Sequence, residues 1–424
     1  MIDARIALGH AVHRLGRWDE AESLGRAALA SAERVLGPDA DATIDARELL
    51  AWNDLFRGRR AEAEAALADL DAFWIAADGE DSHQRIPILN GLGQAALDGG
   101  ELDAAEDRYR DALALSRAAF PDGHPDMMVA LSGLANTMTM SKRPEDAVAP
   151  LTEAAAIARR GLSPEHRSTL VVLGNLGLLQ ARLDRHEEAE STLTAVLETR
   201  RRTLPADHPD VGKSLEQLGR LEYFRGDFEA AIAWFQEARG VYAAAYGGPV
   251  AESIACLSNL ATTLRAAGRF EEAIEVTHEV LEFDRADLGP DHPFVCDSLI
   301  SLAGMLVEVG ELEEARRTVD EAARIAALGS GNTLRPARCA LVRSSLAVAG
   351  GDLPAAAAEL EAAWPVLADS DLLDEAVRPA RRLADALEAA GESAASDHWR
   401  GRARTAAGDA DDETPASAGP AATD

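Results

Sequence analysis

The sequence predicts an all-α protein, an α-solenoid of antiparallel helix pairs stacked one after another, and three observations predict it. One hexad pattern returns every 42 residues, eight times in all. Two columns on the same step, one of alanine and one of leucine, run through all eight returns without a break. Apolar residues make up 47 % of the 424 residues but aromatics only 4 %, so the interior is built largely from Ala and Leu. Val and Ile do not alternate with polar residues as strands require. A chain of this length is too long for one compact core, and self-similarity at a fixed period selects an array over several unlike domains.

The hexads are GRWDEA at Gly16, GRRAEA at Gly58, GELDAA at Gly100, KRPEDA at Lys142, DRHEEA at Asp184, GDFEAA at Gly226, GRFEEA at Gly268 and GELEEA at Gly310. The alanine column is Ala21, Ala63, Ala105, Ala147, Ala189, Ala231, Ala273 and Ala315. The leucine column is Leu8, Leu50, Leu92, Leu134, Leu176, Leu218, Leu260 and Leu302, and each is followed by Gly or Ala. The leucines are expected to project into the seam between helices. The small residues let helix axes approach to about 8–10 Å. Gly268 and its equivalents follow the first helix of each pair, where a left-handed cap is wanted. Acidic pairs such as Glu271-Glu272 then open the second helix, favoured by its dipole.

Pairs are joined by loops such as FPDGHPDM from Phe120, LSPEHRST from Leu162, LPADHPDV from Leu204 and LGPDHPFV from Leu288. In these loops His124, His166, His208 and His292 mark the same place, and Pro and Asp end one helix and start the next. The segments DHPFVCDSLISLAGMLVEVGELEEA from Asp291 and ESIACLSNLATTLRAAGRFEEA from Glu252 resemble the tetratricopeptide repeat family in its longer, kinesin-light-chain-type variant. The resemblance covers about residues 2–328. It implies helix pairs stacked into a right-handed superhelix with a concave peptide-binding face.

The expected organisation is eight units over 1–328, an irregular loop at 329–335, a degenerate C-terminal cap at 336–408 pivoting near Gly351 and Gly391, and a disordered acidic tail at 409–424. The chain begins almost directly inside a first helix. That start is compatible with a separated half of something longer.

The formal charge of -31 repels nucleic acid and anionic lipid, so neither is an expected partner. No stretch reaches the roughly 18 apolar residues of a membrane helix. With Asp3, Arg5 and His10 the first residues lack a signal peptide's apolar run, so a cytoplasmic location is expected. Cys256, Cys296 and Cys339 are scattered and read as free thiols. His124-Pro125-Asp126 and His208-Pro209-Asp210, like a J-domain tripeptide, fall into the loop column. Gly212-Lys213-Ser214 lacks the glycine five residues upstream that a phosphate-binding loop needs, because Asp207 stands there. His186-Glu187-Glu188 lacks the second His of a zinc helix. No catalytic constellation, metal site or cofactor is expected.

Function is therefore sought on the outward face of the first helices. Aligned on the leucine column, one stripe holds Asn175, Gln217, Asn259 and Ser301, preceded by Gly91 and Gly133. A second stripe holds His10, Trp52, Gln94, Asn136, Leu178, Arg220 and Thr262. Arg182, Tyr223, Phe224 and Arg265 add to these. A side-chain amide offers both a donor and an acceptor to an extended peptide. The family resemblance implies an Asn ladder that Asn175 and Asn259 match, with Gln217 between. The expected groove runs over repeats five to seven and comprises Asn136, Asn175, Arg182, Gln217, Arg220, Tyr223, Asn259 and Arg265, the arginines suiting an acidic or carboxylate-bearing peptide. With only Lys142 and Lys213 present, the chaperone-type carboxylate clamp is not expected. The leading expectation is a non-catalytic scaffold or adaptor binding a peptide or protein. Two alternatives are a regulatory half associated with a signalling enzyme, such as a bacterial serine/threonine kinase or ATPase, and a self-associating array using an Ile2-Ile6-Leu8 edge.

Overall fold

A computed structural model describes residues 1–13, 17–120, 124–329, 333–368, 370 and 372–407. The expected tail at 409–424 and residues 330–332 of the expected loop lie outside the described residues. The described chain is helical, with no strand among these residues, and it divides into two compact units, Met1–Gly226 and Asp227–Asp424.

The first unit contains α1 (Ile2–His13), α2 (Trp18–Val35), α3 (Asp41–Phe56), α4 (Arg60–Asp78), α5 (Arg85–Asp98), α6 (Leu102–Ala119), α7 (Pro125–Met140), α8 (Val148–Gly161), α9 (Arg167–Arg182), α10 (His186–Thr203) and α11 (Pro209–Arg225). The second contains α12 (Phe228–Tyr246), α13 (Ala251–Ala266), α14 (Phe270–Asp287), α15 (Pro293–Glu308), α16 (Leu312–Leu328), α17 (Leu334–Ala349), α18 (Leu353–Ala368), a 3-10 turn (Leu373–Ala376), α19 (Val377–Ala389) and α20 (Ser393–Ala406). Within each unit helices pack on their sequence neighbours. Several odd-numbered helices also touch the next odd-numbered helix, as α5 does α7 and α15 does α17.

The repeat columns explain this packing. All eight alanines of the alanine column are 0 % exposed. The small column is buried too, and its glycines are needed for space. A Cβ on Gly9 would stand 2.5 Å from Leu49 Cδ2, and one on Gly177 2.7 Å from Leu193 Cδ2. The leucine column is less uniform than expected. Leu92, Leu134, Leu218, Leu260 and Leu302 are buried, Leu50 and Leu176 half-buried, and Leu8 is 49 % exposed. The Ile2-Ile6-Leu8 edge is corrected as well: Ile6 is buried with Ala28 and Ala46, and Ile2 packs on that cluster. Positions 2 and 6 share one helical face, turned inward.

The turn after each first helix takes a positive φ at Gly58, Gly100, Gly226, Gly268, Gly310, Gly351 and Gly391, and also at Lys142 (61°) and Asp184 (58°). The loop histidines have a role that the sequence left unassigned. His166, His208 and His292 are N-caps of α9, α11 and α15, each Nδ1 accepting the backbone N–H two residues on, at 3.1–3.2 Å. Each cap satisfies one of the orphan donors at a helix start.

Candidate functional site

Many arginines of the first unit are committed to ion pairs, several of which tie successive repeats together. Arg117 pairs with Glu153 at 2.8 Å, Arg202 with Glu165 at 2.9 Å, and Arg225 with Glu190 at 2.7 Å. Arg143 pairs with Glu106. Each link is worth about 0–1 kcal/mol.

Arg182 and Arg220 differ. Neither has a hydrogen-bond or ion-pair partner among the described residues. Both line a cleft of about 560 Å³ whose wall is made chiefly by the first helices α3, α5, α7, α9 and α11. Burial lowers the Arg220 guanidinium from the usual arginine value; Glu216 opposes that shift and the like charge of Arg182 adds to it. A guanidinium desolvated in this way is poised to take an anion.

The cleft wall follows the repeat. Trp52, Gln94, Asn136, Leu178 and Arg220 come from one column, five positions 42 residues apart, and Phe56, Arg182 and Phe224 from another. Asn175 joins them, half-buried. Phe56 follows from the same column rule applied to repeat two. Val129 and Val171, 48 % and 38 % exposed, also line the cleft; two exposed valines 42 residues apart were the available signal. Asn90 had none. It is 3 % exposed, it lines the cleft, and its Oδ1 has no hydrogen-bond partner among the described residues.

The interruption of the amide stripe at Gly91 and Gly133 has a steric cause. A Cβ on Gly133 would lie 2.2 Å from Tyr109 Cζ, and one on Gly91 2.9 Å from Leu67 Cδ1. Tyr109 is 1 % exposed and donates from its hydroxyl to Gln94 Oε1 at 3.3 Å. Gln94 in turn donates to Asp98 at 2.8 Å, a carboxyl that burial raises above its ordinary value. No asparagine fits where the Tyr109 ring already stands.

The other expected site residues lie elsewhere. Gln217 is 4 % exposed, its amide packed over Gly174, where a Cβ would be 2.6 Å from Nε2. Tyr223 is half-buried and meets Phe224 edge to face at 6.1 Å. Asn259 and Arg265 belong to the second unit. Asn259 is half-buried on α13, and Arg265 lines a separate cleft of about 540 Å³ formed mainly by α13, α15, α17 and α19. The structure thus brings Asn136, Asn175, Arg182 and Arg220 to one cleft.

Gly212-Lys213-Ser214 lies inside α11, where Ser214 Oγ accepts from Arg200 at 2.8 Å. No group of three or more metal-ligating side chains is found among the described residues, and none of the described helices is long and apolar enough to cross a membrane.

A family model described as tetratricopeptide repeat matches residues 1–70, 84–160, 126–202, 168–244 and 253–327. Among solved structures, the nearly identical TPR-like repeats assigned to a kinesin light chain of Podosopora anserina are 23 % identical. That alignment covers 49 % of this chain and 99 % of that one, with a TM-score of 0.42. The apo quorum sensor NprR of B. thuringiensis is 15 % identical over 86 % of this chain and 98 % of its own, TM-score 0.58. A Rap protein complexed with Competence and Sporulation Factor is 14 % identical over 96 % of this chain and 98 % of its own, TM-score 0.52. No curated protein matches. With its helix pairs, its buried columns and a family model matched over most of its length, the chain belongs to the tetratricopeptide repeat family, with repeats of 42 residues.

Proposed function

We propose that this protein is a non-catalytic interaction adaptor whose first unit holds an extended peptide in the cleft of α3, α5, α7, α9 and α11, with one carboxylate of the peptide on Arg182 and Arg220. The observation that carries the reading is that two guanidinium groups, one of them desolvated, stand on one cleft wall with no anionic partner among the described residues. Asn136 and Asn175 face the peptide backbone, Asn90 Oδ1 accepts a peptide N–H, and Trp52, Phe56 and Phe224 receive apolar side chains. Gln217 and Tyr223 support α11 from beside the cleft. A single carboxylate suits the site better than a run of them, because the chain's charge of -31 opposes each further negative charge.

The test uses the full chain and a library of short peptides with either a free or an amidated C-terminus, read by fluorescence anisotropy. Selected binders should weaken about ten-fold or more in Arg220→Met. Asn175→Ala should weaken them less. Undiminished binding by a correctly folded Arg182→Met, Arg220→Met double variant sinks the reading. A regulatory role is the second reading, favoured by the fold shared with the quorum sensor NprR and with the Rap protein crystallised with Competence and Sporulation Factor. It requires a bound peptide to change the protease sensitivity of the chain, and an unchanged digestion pattern would count against it.

A further inference from the structure

The last turn of α14 carries two carboxylates, Asp284 and Asp287, on the wall of a cavity of about 500 Å³ within the second unit. The repeat supplies its own control. The place of Asp284 is taken elsewhere by Ala32, Trp74, Ser116, Ala158, Arg200, Tyr242 and Ala326, and no other repeat has a carboxylate there or at the place of Asp287. Ala32, Ser116, Ala158, Arg200, Tyr242 and Ala326 are at most 5 % exposed, so this is a packing position that the fold fills without an acid. Arg200, the other charged occupant, is satisfied by the Asp210 carbonyl at 3.0 Å and Ser214 Oγ at 2.8 Å.

Asp284 is not satisfied in that way. It is 7 % exposed and has no hydrogen-bond or ion-pair partner among the described residues. It stands at the C-terminal end of a helix, where the dipole is already negative, with a like charge one turn on. Burial raises its carboxyl above the ordinary value; His292 opposes the shift and Asp287 adds to it. The cation of that turn, Arg285, is held by Glu321 at 2.9 Å. Asp297, also on the cavity wall, is held by Arg335 at 2.8 Å and Arg338 at 3.3 Å. The remaining wall includes Val280, Phe283 and Met305, and Phe294 beside them is 60 % exposed.

We propose that this cavity seats a basic side chain, Lys or Arg, of a partner polypeptide, its charge on Asp284 and Asp287 and its methylene stem against Phe283 and Phe294. Long basic side chains bury their stems on apolar surface while the head meets a carboxylate. The exposed Phe294 and the 40 % exposed Leu288 next to it extend apolar surface beyond the charge seat, which suits residues flanking the basic one in a polypeptide. The chain's charge of -31 steers a basic partner inward. The proposal is independent of the cleft in the first unit.

The experiment uses the full chain and two labelled pentapeptides, one with a central lysine flanked by leucine and phenylalanine, the other with norleucine in place of lysine. The lysine peptide should bind about ten-fold or more tightly than its norleucine counterpart, and Asp284→Asn should remove that difference. Asp287→Asn should reduce it. Glu313→Gln, an exposed acid of the same unit, makes the same change in net charge and should leave it intact. Without peptide, Asp284→Asn should melt higher than the parent, because an unpartnered carboxylate has been neutralised. Equal binding of the two peptides, an unaltered preference in Asp284→Asn, or a lower melting temperature for that variant overturns the proposal.

Discussion

The clefts of the two units are built alike and charged differently. In the first unit Arg182 and Arg220 reach the cleft without a partner. In the second, the cleft wall holds Arg338, Arg378 and Arg382, each tied to a carboxylate, and Arg265, which has no such tie among the described residues. Arg338 contacts Glu375 at 2.8 Å, Arg378 contacts Glu308 at 3.3 Å, and Arg382 also pairs with Glu308. Three of the four arginines on the second cleft are thus structural ties, whereas on the first only Arg167 is tied, to Asp210 at 3.1 Å, and Arg182 and Arg220 are available charges. The difference lies in whether a neighbouring element supplies a carboxylate, as α15 does with Glu308 and the 3-10 turn with Glu375.

The largest test of this contrast is steric. Gly133→Ala places a methyl group where the buried Tyr109 ring stands. It should cost about 1–3 kcal/mol in chemical denaturation and disturb the first cleft by moving that ring. An unchanged midpoint would mean that Tyr109 is not fixed there, and the cleft geometry would fall with it. Next comes charge. Glu308 has a side chain 16 % exposed and holds two guanidinium groups, so Glu308→Ala should lose about 1–2 kcal/mol. Arg220→Met, which removes a desolvated charge with no partner, should be neutral or stabilising within about 1 kcal/mol. If both substitutions cost the same, the distinction between tied and available arginines is wrong.

A smaller effect checks that the units do not simply differ in rigidity. His208 and His292 cap helices of the first and second unit through the same Nδ1 acceptor. His208→Ala and His292→Ala should each cost about 1 kcal/mol, and Asn, another good cap, should restore most of it. A loss in one unit only would trace the contrast to helix ends rather than to the clefts.

How much of this was legible in the sequence follows from what a column can encode. The alanine column and the small residues read directly as burial, because close helix packing tolerates little else there. The outward stripe Trp52, Gln94, Asn136, Leu178, Arg220 read directly as well, since helical geometry fixes which position faces out. Pairing could not be read. Whether Arg220 or Arg382 meets a carboxylate depends on rotamers and on residues in other repeats. The gap in the amide stripe at Gly133 has its cause in Tyr109, 24 residues earlier on another helix, which a column cannot show. The sequence placed the strongest site in repeats five to seven, whereas the cleft of the first unit begins at Trp52 in repeat two. The cleft wall also carries the aromatic residues Trp52, Phe56 and Phe224, which an amide ladder does not mark.

The finest test concerns the turns. Every described turn after a first helix takes a positive φ at glycine except two, Lys142 at 61° and Asp184 at 58°, and both lie in the first unit. They directly follow α7 and α9, the helices that carry Asn136, Asn175 and Arg182. An L-residue in the left-handed region costs about 1–2 kcal/mol, offset in part by the larger unfolded-state entropy of glycine. Lys142→Gly should therefore stabilise the protein by about 0.5–1 kcal/mol. Asp184→Gly should gain less, because Asp tolerates this conformation better than Lys. The converse substitution in the second unit, Gly310→Lys at φ 84°, should lose about 1 kcal/mol. If Lys142→Gly gains stability and leaves peptide binding unchanged, the strained turn is incidental to the cleft. If it gains stability and weakens binding, the turn conformation helps set where α7 presents Asn136. A loss of stability would show that Lys142 makes a contact worth more than its backbone strain.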